Sequence, residues 1–129
     1  MTAISSATSG MMAAVTRLNA SAQNTANSRS TGALPGTGKA SAYQPVDVVQ
    51  VSEAAGGVST SVQARNPGYQ PAYEPYSPSA NAQGMVAEPN VDEVGEAVGQ
   101  IDALNQFKAN LATVRTADDL LKVLIDLKS

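Results

Sequence analysis

The chain has 129 residues, 4% of them aromatic, with no Trp, no Cys and no His, and a formal net charge of −3. This length allows one domain or less with a modest core. The missing His and Cys exclude histidine acid–base chemistry, thiol nucleophiles, disulfides and the usual zinc sites, and scattered basic residues on a net acidic chain argue against nucleic-acid binding.

Residues 1–90 balance four basic against four acidic residues, whereas residues 91–129 hold four basic and seven acidic, so the net charge lies at the C-terminal end. No basic residue precedes Arg17 and no continuous apolar core follows it, so no cleaved secretion signal is expected. No run approaches the ~20 apolar residues of a membrane span.

The row Ile4, Ala7, Met11, Ala14, Leu18, Ala22, Thr25 predicts a helix over residues 4–27. Ser5, Ser6, Thr8, Ser9 and Gly10 are poor helix formers, so the segment is marginal until something packs on it. Residues 28–40, with Thr31–Gly32 and Leu34–Pro35–Gly36, read as a loop. Residues 42–51 and 58–64 are rich in β-branched residues and flank a Gly56–Gly57 turn, which predicts a hairpin of these two strands, with Pro45 placing the first at a sheet edge. One hairpin is unstable alone and must pack on a helix or a neighbour. Residues 66–89 hold five of the seven prolines and Tyr69, Tyr73 and Tyr76, and predict an extended segment, read as a strap over the domain's own surface in preference to a recognition ligand for a partner.

The strongest pattern is C-terminal. Val91, Val94, Val98, Ile101, Leu104, Phe107, Leu111, Val114, Ala117, Leu121 and Leu124 recur every three or four positions. These ten steps cover 33 positions, or 3.3 residues per step, a period below 3.6 that implies left-handed supercoiling against a partner. Asn90 reads as the N-cap, with Glu93 at N3 as a capping box and Pro89 packing on Val94 as a staple. Asp92, Glu93 and Glu96 match the positive end of the helix dipole, and Lys122 and Lys128 the negative end. Gly95, Gly99 and Ala103 form a row of small residues suited to close approach of another backbone.

No catalytic, cofactor or metal residue is expected. The adjacent pairs Asp92–Glu93 and Asp118–Asp119 point ~100° apart on a helix and cannot share a proton as a catalytic dyad does. Asn24, Asn27 and Asn110 are candidates for buried hydrogen bonds.

Ser6–Ala7–x–Ser9–Gly10–Met11, Arg17–Leu18, Ala22–Gln23–Asn24–Thr25–Ala26–Asn27 and Thr31–Gly32 resemble the N-terminal helix of bacterial flagellar rod and hook proteins. Ser77–Pro78–x–Ala80–Asn81–x–x–Gly84–Met85–Val86–x–x–Pro89–Asn90–Val91–Asp92 resembles a signature of the proximal-rod members, with Met85 where an aromatic is usual and Ser77 where Asn is usual. Phe107–Lys108–Ala109–Asn110 resembles a further family motif. The resemblance covers both helices and the strap and is weakest over residues 33–66.

The resulting expectation is a mainly α chain with a small β element: N- and C-terminal helices pairing as a coiled coil, a central β-hairpin and a Pro-rich extended strap. Residues 1–32 and 91–129 would form the inner assembly domain and residues 33–90 the outer part. The resemblance implies a structural subunit of the flagellar rod in the basal body. It would be exported through the flagellar type III apparatus without a cleaved signal peptide. It would assemble with copies of itself, other rod proteins and proteins of the rod–MS-ring junction, with no nucleic acid. The assembly residues would be Leu18, Asn24, Ala26, Asn27, Pro89, Asn90, Val91, Val94, Val98, Ile101, Leu104, Phe107, Asn110, Leu111, Val114, Leu121 and Leu124. The rival is a coiled-coil adaptor or binding module outside the flagellum.

Overall fold

The computed structural model describes residues 3–36 and 38–127. Its elements run α1 (Ala3–Ala26), β1 (Val46–Ser52), β2 (Val58–Ala64), β3 (Tyr69–Tyr73), β4 (Met85–Pro89) and α2 (Glu93–Asp126). The two helices pack together, with small antiparallel β elements between them in the chain, as the sequence leads one to expect. At 1.5 Å per residue, α1 is about 36 Å long and α2 about 51 Å. Among the described residues no helix is long and apolar enough to cross a membrane.

The core is made of small side chains. Ala7, Ala13, Ala14, Ala20, Ala33, Val86, Ala87 and Ala103 are its buried apolar residues, and the largest fully buried side chains are Val86, Asn24, Pro45 and Pro89. With so few large anchors, close backbone approach and hydrogen bonds must hold the elements in place. β1 and β2 form the expected hairpin, in register from Val46↔Ala64 to Ser52↔Val58. Its strand starts at Val46, not residue 42, because the chain from Ala42 to Pro45 is occupied against the Gly32 loop and Asn24.

Two expectations are corrected. The Pro-rich segment is not a single extended strap: it folds back as a second hairpin, β3–β4, from Tyr69↔Pro89 to Tyr73↔Met85. Asn81 Oδ1 closes the turn by accepting from the Gln83 and Met85 amides, both at 2.9 Å, and Gly84 takes φ +76°. Pro71 is tolerated because its partner Ala87 exchanges both backbone bonds with Gly32 on the other side, at 2.8 and 2.9 Å, and asks for no donor from β3. That exchange requires Gly at 32, where a Cβ would collide with the backbone of Ser41 and Ala42.

The second correction is the start of α2. Asp92, not Asn90, is the N-cap, accepting from the Val94 amide at 3.1 Å. Asn90 is held in the β3–β4 region instead: its amide bonds Gly68 O, its side chain bonds Pro67 O, and its carbonyl accepts from Arg65. Val91 therefore precedes the helix, Glu93 falls at N1 and turns to Ser28 and Arg29, and Val94 is too exposed to staple Pro89. At the far end the last turn of α2 carries no basic residue; Lys122 pairs with Asp118 and Asp119, and Lys128 lies outside the described residues.

Candidate assembly interface

The helices run antiparallel, as their cross-links show. Asn24 Nδ2 donates to Glu96 Oε1 at 2.8 Å and Ser21 Oγ to the Glu96 carbonyl at 3.0 Å. Gln100 Nε2 reaches Ser21 Oγ and Thr25 Oγ1 at 3.3 and 3.2 Å, and Arg17 bonds Gln106 Oε1 at 3.0 Å. At the far end Gly10 lies so close to Asn110 that a Cβ there would stand 2.7 Å from its side chain. The mated row on α1 is Ala7, Gly10, Ala14, Arg17, Ser21, Asn24, and that on α2 is Glu96, Gln100, Ala103, Phe107, Asn110. Both alternate steps of three and four, the spacing of a coiled-coil seam.

The seam is small and polar, and the sequence's apolar rows do not coincide with it. At ~100° per residue, Val94, Val98 and Ile101 lie on the side of α2 opposite Ala103. They are 74%, 53% and 59% exposed, and Leu104 flanks them, also exposed. Gly99 has open space where a Cβ would stand, and Gly95 lies against its own cap Asp92, so within the subunit neither glycine admits another backbone. On α1, Ala7 and Ala14 are buried and Met11 and Leu18 half-buried, but Ile4, Ala22 and Thr25 face solvent.

Asn24 is the junction of helices and hairpin. It is 1% exposed and uses its full hydrogen-bonding capacity. Its amide donates to Val46 O and Glu96 Oε1, both at 2.8 Å, while Oδ1 accepts from the Val46 amide at 3.0 Å and from Tyr43 Oη at 3.1 Å. Burial, reinforced by Glu96 and opposed by Arg65, pushes the Tyr43 phenol above its ordinary value. Arg65, from the end of the hairpin, adds ion pairs to Asp47 at 2.7 Å and to Glu96 at 2.9 Å and a bond to Asn90 O at 2.9 Å. The Asp47 hydrogen bond, ahead of Glu96, raises its guanidinium pKa above the usual value.

The remaining named residues divide by place. Pro89 is buried at the end of β4, Val91 is half-buried in the link to α2, and Ala26 is exposed at the end of α1. Asn27 and Asn110 bond carbonyls of their own helical segments, Gln23 O and Gln106 O. Leu111 and Val114 are half-buried, and Leu121 and Leu124 exposed. Leu18, Ala14, Val15, Ala103, Leu104 and Phe107 line a groove of about 210 Å³. It adjoins one of about 370 Å³ lined by Thr8, Met11, Met12, Val15, Thr16 and Phe107. Hydrophobic periodicity missed Gly10, Arg17, Ser21, Tyr43, Asp47, Arg65, Gln100 and Gln106. Only the 3–4 spacing of small and polar residues on α1 could have pointed to the seam.

Residues 82–127 match the family described as flagellar basal body rod FlgEFG protein C-terminal. The flagellar basal-body rod protein FlgC of Agrobacterium fabrum is 35% identical over 126 residues, covering 92% of this chain and 88% of its own. FlgC of Salmonella typhimurium is 36% identical over 118 residues, covering 88% and 86%, and FlgC of Escherichia coli O6:H1 is 33% identical over 120 residues at the same coverage. A similarity that runs through both helices and both hairpins places the chain in the FlgC family of flagellar basal-body rod proteins, as a structural, non-enzymatic subunit of the rod.

Proposed function

We propose that the subunit polymerises into the torque-transmitting shaft through helix surfaces that its own fold leaves uncovered. The carrying observation is the partition on α2: the seam to α1 is small and polar, whereas Val94, Val98 and Ile101 face outward, more than half exposed. Apolar rows of this kind mark interaction sites. Val94, Val98, Ile101 and Leu104 would meet neighbouring rod subunits. Leu18, Phe107, Leu111 and Val114 would line the groove side, and Leu121 and Leu124 the distal end. Asn24, Pro89, Asn90 and Val91 would act inside the subunit, fixing hairpins to helices, and Ala26, Asn27 and Asn110 would shape the helix ends and seam. The partners are copies of this chain, other rod proteins, and proteins at the junction with the MS ring. Passage through the type III export apparatus is supported by an Ala-rich core, a weak α1 sequence and the absence of disulfides, since such a subunit unfolds readily.

The test is Val98→Asp with Ile101→Asp. Exposed positions tolerate polar substitution within about 0.5 kcal/mol, so urea unfolding of the purified chain should barely move. Swimming and the yield of basal bodies with a complete rod should be lost. Normal motility with complete rods would refute the proposal.

A further inference from the structure

The α1-facing row of α2 does not stop where α1 stops. Seven residues separate Gly10 from Ala3, so in the antiparallel pair Ala3 stands level with Ala117. Asp118–Asp126 projects beyond it by nine residues, about 13 Å. The alternation of four and three that runs Glu96, Gln100, Ala103, Phe107, Asn110 continues unbroken through Val114 and Ala117 to Leu121 and Leu124. The seam is thus mostly small and polar alongside Ala3–Ala26 and becomes leucine beyond the level of Ala3. Leu121 and Leu124, with Leu120 and Val123 beside them, are more than half exposed.

The flank of α1 away from the β1–β2 hairpin offers a matching surface. Its two adjoining grooves, lined chiefly by Met11, Met12, Val15, Leu18, Leu104 and Phe107, run from Thr8 to Leu18, about 15 Å along the helix. Charge matches as well. α1 carries one charged residue, Arg17, and Leu104–Ala117 adds Lys108 and Arg115 with no acid. The projecting segment carries Asp118, Asp119 and Asp126 against Lys122, and the negative end of the α2 dipole lies there.

We infer that the projecting end of α2 in one copy docks along the Met11–Phe107 groove of a second copy. The contact is heterologous, since each copy donates one end and accepts one. A contact of this type propagates a helical array and does not close a dimer. The inference rests on the chain being a rod subunit, and it adds which surfaces of two copies meet.

The cysteine-free chain allows a direct test. Two versions are co-expressed in cells lacking the native gene, one with Met12→Cys and one with Leu124→Cys, and basal bodies are isolated under mild oxidation. A disulfide-linked dimer of the two versions is expected. Neither version alone should give it, and Val94→Cys with Leu124→Cys should not. Within one chain Met12 lies level with about residue 108, roughly 24 Å along α2 from Leu124, so the link must be between copies. Val15→Cys with Leu121→Cys reads the same contact should position 12 hinder assembly. Asp118→Lys with Asp119→Lys should lower the dimer yield severalfold, and Lys108→Glu with Arg115→Glu should restore part of it. Basal bodies holding both versions without the dimer, or with Leu124→Cys linked only to another rod protein, would overturn the docking while leaving the rod assignment intact. Absence of the chain from basal bodies that are otherwise complete would overturn both.

Discussion

Replacing Asn24 by Ala tests the claim that polar bonds, not apolar burial, join the hairpin to the helices. The change removes three bonds to neutral groups and one to the Glu96 carboxylate. Neutral bonds contribute about 1 kcal/mol each and a bond to a charged group about 1.5–3, so the gross loss is about 5 kcal/mol. Part returns, because Glu96 keeps Arg65 and because the junction borders a cavity of about 210 Å³ that admits water. A net loss of about 3 kcal/mol is expected. With an m-value of about 1.5 kcal/mol/M, the urea midpoint should fall by about 2 M at unchanged m. Asn24→Asp sharpens the test: it keeps both acceptor bonds, removes both donor bonds, and sets a second carboxylate against Glu96. It should be at least as destabilised at neutral pH and regain stability on acidification, when one carboxyl protonates. A midpoint shift under about 0.5 M for the Ala variant, at unchanged m, would refute the reasoning, as would an Asp variant indifferent to pH.

Arg65→Met leaves Asp47 and Glu96 without their cation and should cost about 2–3 kcal/mol, with faster amide exchange along β1 and β2 than in α1. Gly32→Ala should cost about 1–3 kcal/mol through overpacking, because backbone of Ser41 and Ala42 blocks the Cβ; Gly10→Ala should be near neutral, because Asn110 can turn aside and the helix gains about 1 kcal/mol. The Glu93 carboxyl is held below its ordinary value of 4.5 by the Ser28 hydrogen bond and then by Arg29. Its folded pKa is depressed, so its contribution is present above that value and is lost as pH falls through the folded pKa. NMR titration should place Glu93 below 4.5, and Ser28→Ala should move it back toward that value.

Both helices, the first hairpin and the family resemblance were legible because each is written locally, in periodicity, turn residues or motif. The face of α2 that meets α1 was not. Its members include Glu96, Gln100 and Asn110, which a search for apolar recurrence discards, while Val94, Val98 and Ile101, which it selects, point away. The start of α2 was misplaced for a different reason. Asn90 has a good capping side chain, but Gly68, Pro67 and Arg65, more than twenty residues away, take its polar groups, and Asp92 is left to cap. The second hairpin was hidden by its prolines, since only the pairing of Ala87 with Gly32 shows that Pro71 sits opposite a residue needing no donor.

That division of α2 has an energetic consequence. Fully burying a Val, Leu or Ile yields about 1.5–3 kcal/mol. Val94, Val98, Ile101, Leu104, Leu121 and Leu124 are already partly covered, so neighbours that bury the rest gain about 1 kcal/mol per residue, or about 4 kcal/mol for a contact on the back of α2 and about 2 kcal/mol for one at its projecting end. Association costs about 4–15 kcal/mol in lost motion alone, so a single such contact does not hold two dilute copies together. A copy entering a growing array meets neighbours on the back of α2, at its projecting end and along the α1 groove at once. The cost of lost motion is then met once while the gains add. Had the apolar rows been spent on the seam between α1 and α2, the isolated subunit would be more stable and would have little left with which to join its neighbours.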